Sequence, residues 1–553
     1  MPNLIPTASQ SGNNAARLLC LLIAATCTVL HAEIVNTPFV ITNSNPSWSD
    51  PSQIWVSFEG AFGDSGQAQS IGSTTITDFT DNWQSFTLAS MSANTGLAYF
   101  NNTPQYTFSL NSFSGRIYVN YGVTALTTQP GPTEKKPYLV FETTVAGQTL
   151  NPPNPSQSNI DLSYVDGVSA AGATMARNAT TGAALLATSV NPVTTNPNIL
   201  SHVAALVPSA ALVKDGSGNT VRVLSSAAAP DAYHNWTALM NGLASAATNL
   251  NVSSYTSPTN SSLVPFGVSQ ALFGYSGAPP ISGQATNFDQ MQNYVTTAIF
   301  MNDLNPGGTN ATLTALGIGG GQAGVVISGT GETITGGGTP AAPFTIYITQ
   351  ANLNLGTGIY GSNPGYVVVQ GDTSYATTGI VNDLGGRIVG DLMAGMVFGW
   401  SNSTLNIATQ AAATGTNLYG TTFSSATVGG LSTGEYFFLL SLAGAQGKLS
   451  DWLGSAADPN SNNYDVYLAA IAANSFAYGS GFTDRLEGYA NPDTYWYTAN
   501  PPAIPGGVGN YETVGFVNLY LGSTATIPEP SACVLFGLGA VGMRLGLRRK
   551  KTA

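Results

Sequence analysis

The sequence predicts an α+β protein, rich in β-structure and built as two lobes with a cleft between them. Three observations lead there. Runs of Thr, Val, Tyr and Phe, broken by Asn, Ser, Pro and Gly, fill the first part of the chain, as in strands joined by turns. Apolar residues at helical spacing begin only near Asn198. Charged residues make up 8% of the chain, too few for helices laced with ion pairs. At 553 residues the chain exceeds one ordinary core. Its order, β first and mixed later, separates a β-rich lobe from a mixed one.

Residues 1–32 read as a secretory signal. Arg17 precedes a short apolar core, Leu18–Leu30, and Ala32 supplies a small residue before Glu33. The apolar core is too short for a comfortable membrane span. From residue 33 to 197 strands follow one another: PFVITN, QIWVSFEG, YTFSL and GRIYVNYG. A β-sandwich or barrel is expected. NPPNPSQSN, Asn151–Asn159, is a Pro-rich loop between two strands. Residues 198–525 form the mixed lobe. Helices are expected at NILSHVAALV and DAYHNWTALMNGLASAA, and a Gly-rich insertion of hairpins over Gly307–Asn363. GRIVGDLMAGMVFGW places Val389, Leu392, Met393, Met396 and Val397 on one helical stripe. YDVYLAAIAANS is a buried helix or strand, and ETVGFVNLYLGS alternates as a last strand. No regular repeat is present.

Residues 526–553 hold Pro528-Glu529-Pro530, a short apolar stretch, then Arg548, Arg549, Lys550 and Lys551. This resembles the PEP-CTERM sorting tail of Gram-negative bacteria. The resemblance implies processing by an exosortase and delivery to the cell envelope surface or the medium. Arg544 interrupts the apolar stretch, which argues against a permanent span.

Cys20, Cys27 and Cys533 all lie in these end segments. A mature chain without them has no disulfide, no thiol nucleophile and no zinc–thiolate site. With only His202 and His234 left, a His-based metal cluster is not expected, and no cofactor is. Residues 33–527 carry 9 Lys and Arg against 26 Asp and Glu, a net charge of −17. Such a surface repels nucleic acid and anionic lipid, and suits a neutral partner such as a polysaccharide. GDSG, Gly63–Gly66, has no preceding His in the mature chain to make it a serine nucleophile. GGGQAG, Gly319–Gly324, leads into a strand rather than a phosphate-binding helix.

The chemistry concentrates in two stretches. In KPYLVFETT, read as a strand, Tyr138, Val140, Glu142 and Thr144 share a face. A Glu among Tyr, Val and Phe is costly without purpose or partner. In DLSYVDGVS, Leu162, Tyr164 and Asp166 share one face, and Asp161, Ser163 and Val165 the other. Asp161 is expected to cap a loop or face solvent. The connection is long enough to bring the two stretches side by side as neighbouring strands, with Glu142 and Asp166 in one cleft. Two carboxylates in different surroundings suit glycoside hydrolysis, one protonated and one ionised. The plain alternative is a surface Glu142 paired with Lys135 or Lys136, and an Asp166 that only opens an Asp-Gly turn.

Taken in order, PFVITNSNPSWSDPSQIWVSFEG, LNSFSGRIYVNYG, YLVFETT, NIDLSYVDGVS, VRVLSSAAAPDAYHNWTALM, GGRIVGDLMAGMVFGW and AYGSGFTDRLEGY resemble glycoside hydrolase family 64, β-1,3-glucanases with a thaumatin-like β-barrel. The resemblance covers most of Pro38 to Tyr489. It implies an inverting endo-β-1,3-glucanase acting as a monomer on β-1,3-glucan. Glu142 would be the general acid and Asp166 the general base. Thr144 and Tyr164 would contact sugar, and Tyr478 and Asp484 would line the cleft wall. The chain departs from the pattern at the inserted NPPNPSQS, at Thr143 in place of Phe and at Gly167 in place of an aromatic. An acid that must stay protonated implies an optimum below neutral pH. A non-catalytic glucan-binding or envelope-matrix protein on the same fold is the alternative.

Overall fold

The structure is a computed structural model. It describes residues 37–45, 47–62, 69–71, 74–76, 83–94, 105–110, 113–145, 157–178, 181–182, 197–245, 249–253, 295–331, 342–379, 384–397, 414–416, 422–424, 465–472, 474–475, 477–479, 494–497 and 514–522. The expected signal, the sorting tail and Asp484 lie outside these residues. No helix among the described residues is long and apolar enough to cross a membrane.

The first half is strand-built, as expected. It holds β1 Thr37–Asn43, β2 Ile54–Phe62, β3 Gln69–Ile71, β4 Thr74–Ile76, β5 Gln84–Thr87, β6 Ser92–Asn94 and β7 Gln105–Leu110. β8 Phe113–Tyr121, β9 Tyr138–Val145, β10 Gln157–Ser163, β11 Gly167–Val168 and β12 Gly172–Arg177 follow. Helices then enter: α1 Ile199–Leu206, β13 Leu212–Lys214, β14 Thr220–Leu224 and α2 Thr237–Ser245. The second half continues with β15 Asn249–Ser253, β16 Val295–Met301, α3 Ala311–Ala315, β17 Gly324–Gly331, β18 Ala342–Thr349 and α4 Gln350–Asn354. It ends with β19 Tyr366–Gln370, β20 Thr373–Thr377, α5 Leu384–Val397, β21 Thr414–Thr416, β22 Thr422–Ser424, α6 Val466–Ala472, β23 Thr494–Tyr497 and β24 Phe516–Leu521.

Two sheets dominate the N-terminal part. One runs β12-β24-β1-β7-β3-β4 with β6 also on β7, and the other runs β23-β10-β9-β8-β2-β5. Period-two alternation buries one face of each. On β9, Leu139, Phe141 and Val145 are 2% exposed or less. On β8, Ile117, Val119 and Tyr121 turn the same way. Phe39 of β1 stacks on Phe108 of β7 at 4.9 Å, and Phe58 of β2 meets Phe108 edge-on at 5.3 Å. These rings join the two sheets into one core.

That core continues without a break into the second half, from Phe39 to Leu521. The stripe expected on α5 is there: Val389, Leu392, Met393, Met396 and Val397 are 1% exposed or less. YDVYLAAIAANS resolves as helix α6, because Asp465 accepts from the backbone of Tyr467 and Leu468 and caps its start. Two expectations are corrected. The helix expected across DAYHNWTALMNGLASAA begins only at Thr237. Pro230–Ala232 forms a short 3₁₀ turn first, and Tyr233 and Trp236 drop into the core between the two. The Gly-rich stretch is not a separate hairpin insertion. Its strands β17 and β18 are the centre of one six-stranded antiparallel sheet, β15-β16-β17-β18-β19-β20, which starts at Asn249.

Candidate active cleft

β9 and β10 are antiparallel neighbours, as the length of their connection suggested. Their register sets Asp161, not Asp166, opposite Glu142. Asp161 is half-buried on the outer face of the sheet, inside β10 and beside Glu142. Extended across four strands, the register makes a row: Glu59 on β2, Arg116 on β8, Glu142 on β9 and Asp161 on β10. Directly opposed residues share a face about 5 Å apart. This row therefore lies on the outer face of the sheet, away from the Phe core.

Glu142 pairs with Arg116, whose Nε lies 3.2 Å from Oε1. The Lys residues considered from the sequence do not take this role. Lys136 Nζ donates to the carbonyl of Ala125 at 2.8 Å. Arg116 stays cationic. Burial opposes its charge, but the fields of Glu142, Tyr118 and Asp166 outweigh burial and raise its pKa. The Arg116 guanidinium thus pairs with Glu142 and also feels the field of Asp166. Tyr118 donates to Glu59 Oε2 at 3.0 Å, and burial, the larger influence, pushes its hydroxyl up.

Asp166 stands just past the end of β10. A turn closes from Gly167 N to Tyr164 O at 3.1 Å, and Ser225 N approaches Asp166 O at 3.4 Å. Gly167 has φ +145°, and a Cβ there would lie 2.4 Å from the carbonyl oxygen of Val223. Only glycine fits there. The carboxylate of Asp166 faces a cavity of about 340 Å³ lined also by Gln129, Pro130, Gly131, Pro132, Arg222 and Ala228.

The wall of that cavity is a strapped loop. Trp83 packs on Tyr118 with the rings tilted and their centres 4.8 Å apart, and donates to Leu126 O at 2.6 Å. Asn120 takes Leu126 N at 3.0 Å and gives to Thr124 O at 3.0 Å. Arg222, 1% exposed, donates to Gly131 O (2.9 Å), Pro132 O (3.0 Å) and Tyr138 Oη (3.1 Å). Its guanidinium lies 5.2 Å from the Tyr138 ring centre. Arg222 has no ion-pair partner among the described residues, and its Nε has no hydrogen-bond acceptor. A buried cation of this kind is expensive, so its service to the loop must be substantial. Tyr138, between Arg222 and Asp166, is pushed up to about 12, chiefly by burial. Arg222→Met removes three hydrogen bonds worth roughly 1 kcal/mol each. The expected result is faster amide exchange over residues 126–134 with the sheet core still protected. Unchanged exchange there would show that the loop is held by other groups.

The remaining expected site residues divide. Thr144 is exposed on the same face as Glu142, one row along, with Oγ1 at 3.4 Å from Ser114 Oγ. Tyr478 lies against the end of β10, exchanging main-chain bonds with Leu162 O (3.0 Å) and from Tyr164 N (2.7 Å), and it is half-buried. Tyr164 does not line the cleft. It is 1% exposed in the core and donates to Ala170 O at 2.8 Å, so it supports the Asp166 turn from beneath instead of meeting a sugar. Strand alternation had already put it with Leu162, which is fully buried. Asp166 leaves that face because the strand ends before it.

Sequence reasoning missed Arg116, Glu59, Asp161 and Arg222. A usable signal existed. Residues 33–527 hold only nine cations, and Arg116 and Arg222 both alternate with β-branched or aromatic residues. In so charge-poor a chain, a cation inside a strand marks a partner nearby. Among the described residues, no group of three His, Cys, Asp or Glu side chains is placed to hold a metal ion.

No protein-family model and no curated protein matches the chain. Among solved structures it is similar to a laminaripentaose-producing β-1,3-glucanase in complex with laminaritetraose, at 13% identity and TM-score 0.39. It is also similar to a β-1,3-glucanase domain (GH64) from Clostridium beijerinckii, at 9% identity and TM-score 0.42. Each match covers 88% of this chain and 98% of the other.

Proposed function

We propose that this protein is an exported β-1,3-glucan hydrolase of the inverting type. The observation that carries the reading is Glu142, ion-paired with Arg116 on the outer face of the sheet, with Asp166 lining a cavity just past the end of the neighbouring strand. The ordered motifs of the sequence agree with it. Glu142 gives a proton to the glycosidic oxygen, and the bond from that oxygen to the anomeric carbon breaks. Asp166 takes a proton from the water that attacks that carbon on the opposite face. The product is a hemiacetal of inverted configuration, and no cofactor enters. Inversion requires a carboxyl separation of about 6.5–9.5 Å, wide enough for the water. Arg116 orients Glu142, and the net charge of −17 over residues 33–527 favours a neutral polymer.

The proposal includes a leader removed before Glu33, exosortase processing of the tail, delivery to the envelope surface or the medium, and action as a monomer. The experiment is digestion of laminarin by residues 33–527, with the anomer of the fresh reducing end read by proton NMR. Release of α-anomer from the β-linked polymer supports the mechanism. Release of β-anomer would replace inversion by retention.

One observation favours a second reading, a glucan-binding protein without catalysis. Glu142 is ion-paired, and a paired carboxylate does not donate a proton until the pair opens. Retention of the protein on a laminarin gel without sugar release would select this reading.

A further inference from the structure

A second cavity, about 980 Å³, opens elsewhere on the molecule. Its position separates it from the cleft. It lies where β8 ends at Tyr121 and β9 is about to begin at Pro137, and is walled by α1 and the β13–β14 hairpin. Glu142 stands five residues further along β9, roughly 17 Å away. Tyr121 also belongs to the core-facing side of β8, whereas Arg116 and Tyr118 face outward.

The lining specifies a ligand chemistry. Asn45, Ser47, Asn198, Ser201 and Asn219 line it with amides and hydroxyls, and among the described residues no Lys or Arg does. Its one carboxylate, Asp215, is engaged within its own hairpin. Oδ1 accepts from Ser217 N (2.8 Å) and Asn219 N (2.9 Å), and Oδ2 from Asn219 Nδ2 (3.2 Å). Among the described residues, neither an anion nor a cation finds a free counter-charge here. Trp48 supplies a half-buried indole packed on Tyr121 at 5.8 Å. A flat aromatic ringed by amides and hydroxyls suits a ligand with an apolar face and equatorial hydroxyls, which is a neutral pyranose.

Trp48 is held ready. Asn43 Nδ2 donates to its carbonyl at 2.7 Å, and its own N–H reaches Asn45 O at 3.2 Å. The turn rests on Gly522, at φ +97°, where a Cβ would come within 2.4 Å of Asn45 Cβ. Only glycine at the exit of β24 lets the Asn45–Trp48 turn sit down. A site fixed in this way from both ends of the chain needs little reordering when a ligand arrives.

We propose that this cavity is a second carbohydrate site, which holds a segment of neutral glucan with a pyranose ring on Trp48, apart from the cleft. The identity of the sugar rests on the function proposed above; the neutral, hydroxyl-rich class does not. The test is calorimetric titration of laminarihexaose into the full chain carrying Glu142→Gln and Asp166→Asn, so that nothing is hydrolysed. Two molecules per chain are expected. Adding Trp48→Ala, or Ala205→Arg at an exposed position of the wall, is expected to leave one. Ala205→Arg decides the matter if Trp48→Ala does not fold. One molecule per chain that both changes abolish would sustain this site and remove the cleft reading. A stoichiometry that neither change alters would overturn this site and leave the cleft reading standing, and no binding at all would overturn it too.

Discussion

Asp166→Asn and Glu142→Gln are each expected to slow laminarin hydrolysis by roughly 10²–10⁴-fold, the usual range for a lost general acid or base. Both changes keep shape and remove the proton chemistry together with a negative charge. Asp166 sits on a turn fixed by Gly167 and by the approach of Ser225, so an amide there occupies the same space. Glu142→Gln also removes the charge that pairs with Arg116. The informative control is Asp161→Asn. Asp161 is the register partner of Glu142, yet Asp166 is the acid placed at the cavity. A loss below about tenfold is expected for it, consistent with a role in orienting the row. If Asp161→Asn fails as completely as Asp166→Asn, the base has been assigned to the wrong aspartate. Steady-state rates of the three variants, with melting curves to confirm folding, settle the point.

The second large effect is on stability. His234 and Asp465 are buried groups that titrate in overlapping windows with opposite sign. Burial pushes the His234 imidazole down to about 4. Both its ring nitrogens lack partners, and Trp236 and Tyr360 pack on it at 4.7 and 5.7 Å. Burial pushes the Asp465 carboxyl up to about 6, against the hydrogen bonds from Ser226 and the backbone of Leu468 and Tyr467. The unfolded chain titrates near the ordinary values of about 6.5 and 3.9. For His234 the unfolded state binds the extra proton, so stability is lost as pH falls from about 6.5 to 4. For Asp465 the folded state binds it, so stability is lost as pH rises from about 4 to 6. Each is worth about 3 kcal/mol, at roughly 1.4 kcal/mol per decade. The wild type is therefore expected to be nearly flat between pH 4 and 6. His234→Leu, which forfeits no side-chain hydrogen bond, should make stability fall as pH rises. Asp465→Asn should make it rise. Urea denaturation at several pH values checks this, and three parallel profiles would refute it.

The strands and helices were largely legible, and the reason is periodicity. The α5 stripe lies within one sequence window, and so does the alternation of YLVFETT. Adjacency of β9 and β10 followed from the short chain between them. Register did not follow. Whether Asp161 or Asp166 meets Glu142 depends on how far an inserted, Pro-rich connection slides one strand along the other, and a slip of one residue reverses every face. The partners that came from distant strands were also invisible. Arg116 and Glu142 are joined by the order of strands in a sheet, which no local pattern encodes. Tyr164 was misplaced for a different reason: a Tyr beside an acid looks like a sugar platform until its face is counted against fully buried Leu162.

The position of β24 bears on how the molecule comes into being. This strand lies between β1, which it joins in parallel, and β12, and Asn518 within it ties to Val40 O and Thr42 Oγ1 at 2.9 and 3.0 Å. The two strands it bridges are made long before it, so until β24 follows, β1 has one edge unpaired and β12 lacks the strand it pairs with. Such edges recruit other chains. Closure between strands so far apart in the chain is slow, because the loop between them must be ordered before any reward is gained. A chain that has not yet made β24 therefore cannot complete its first sheet. Folding of that layer waits for β24, and a holdase that shields strand edges until then is the helper whose loss such a chain would feel most.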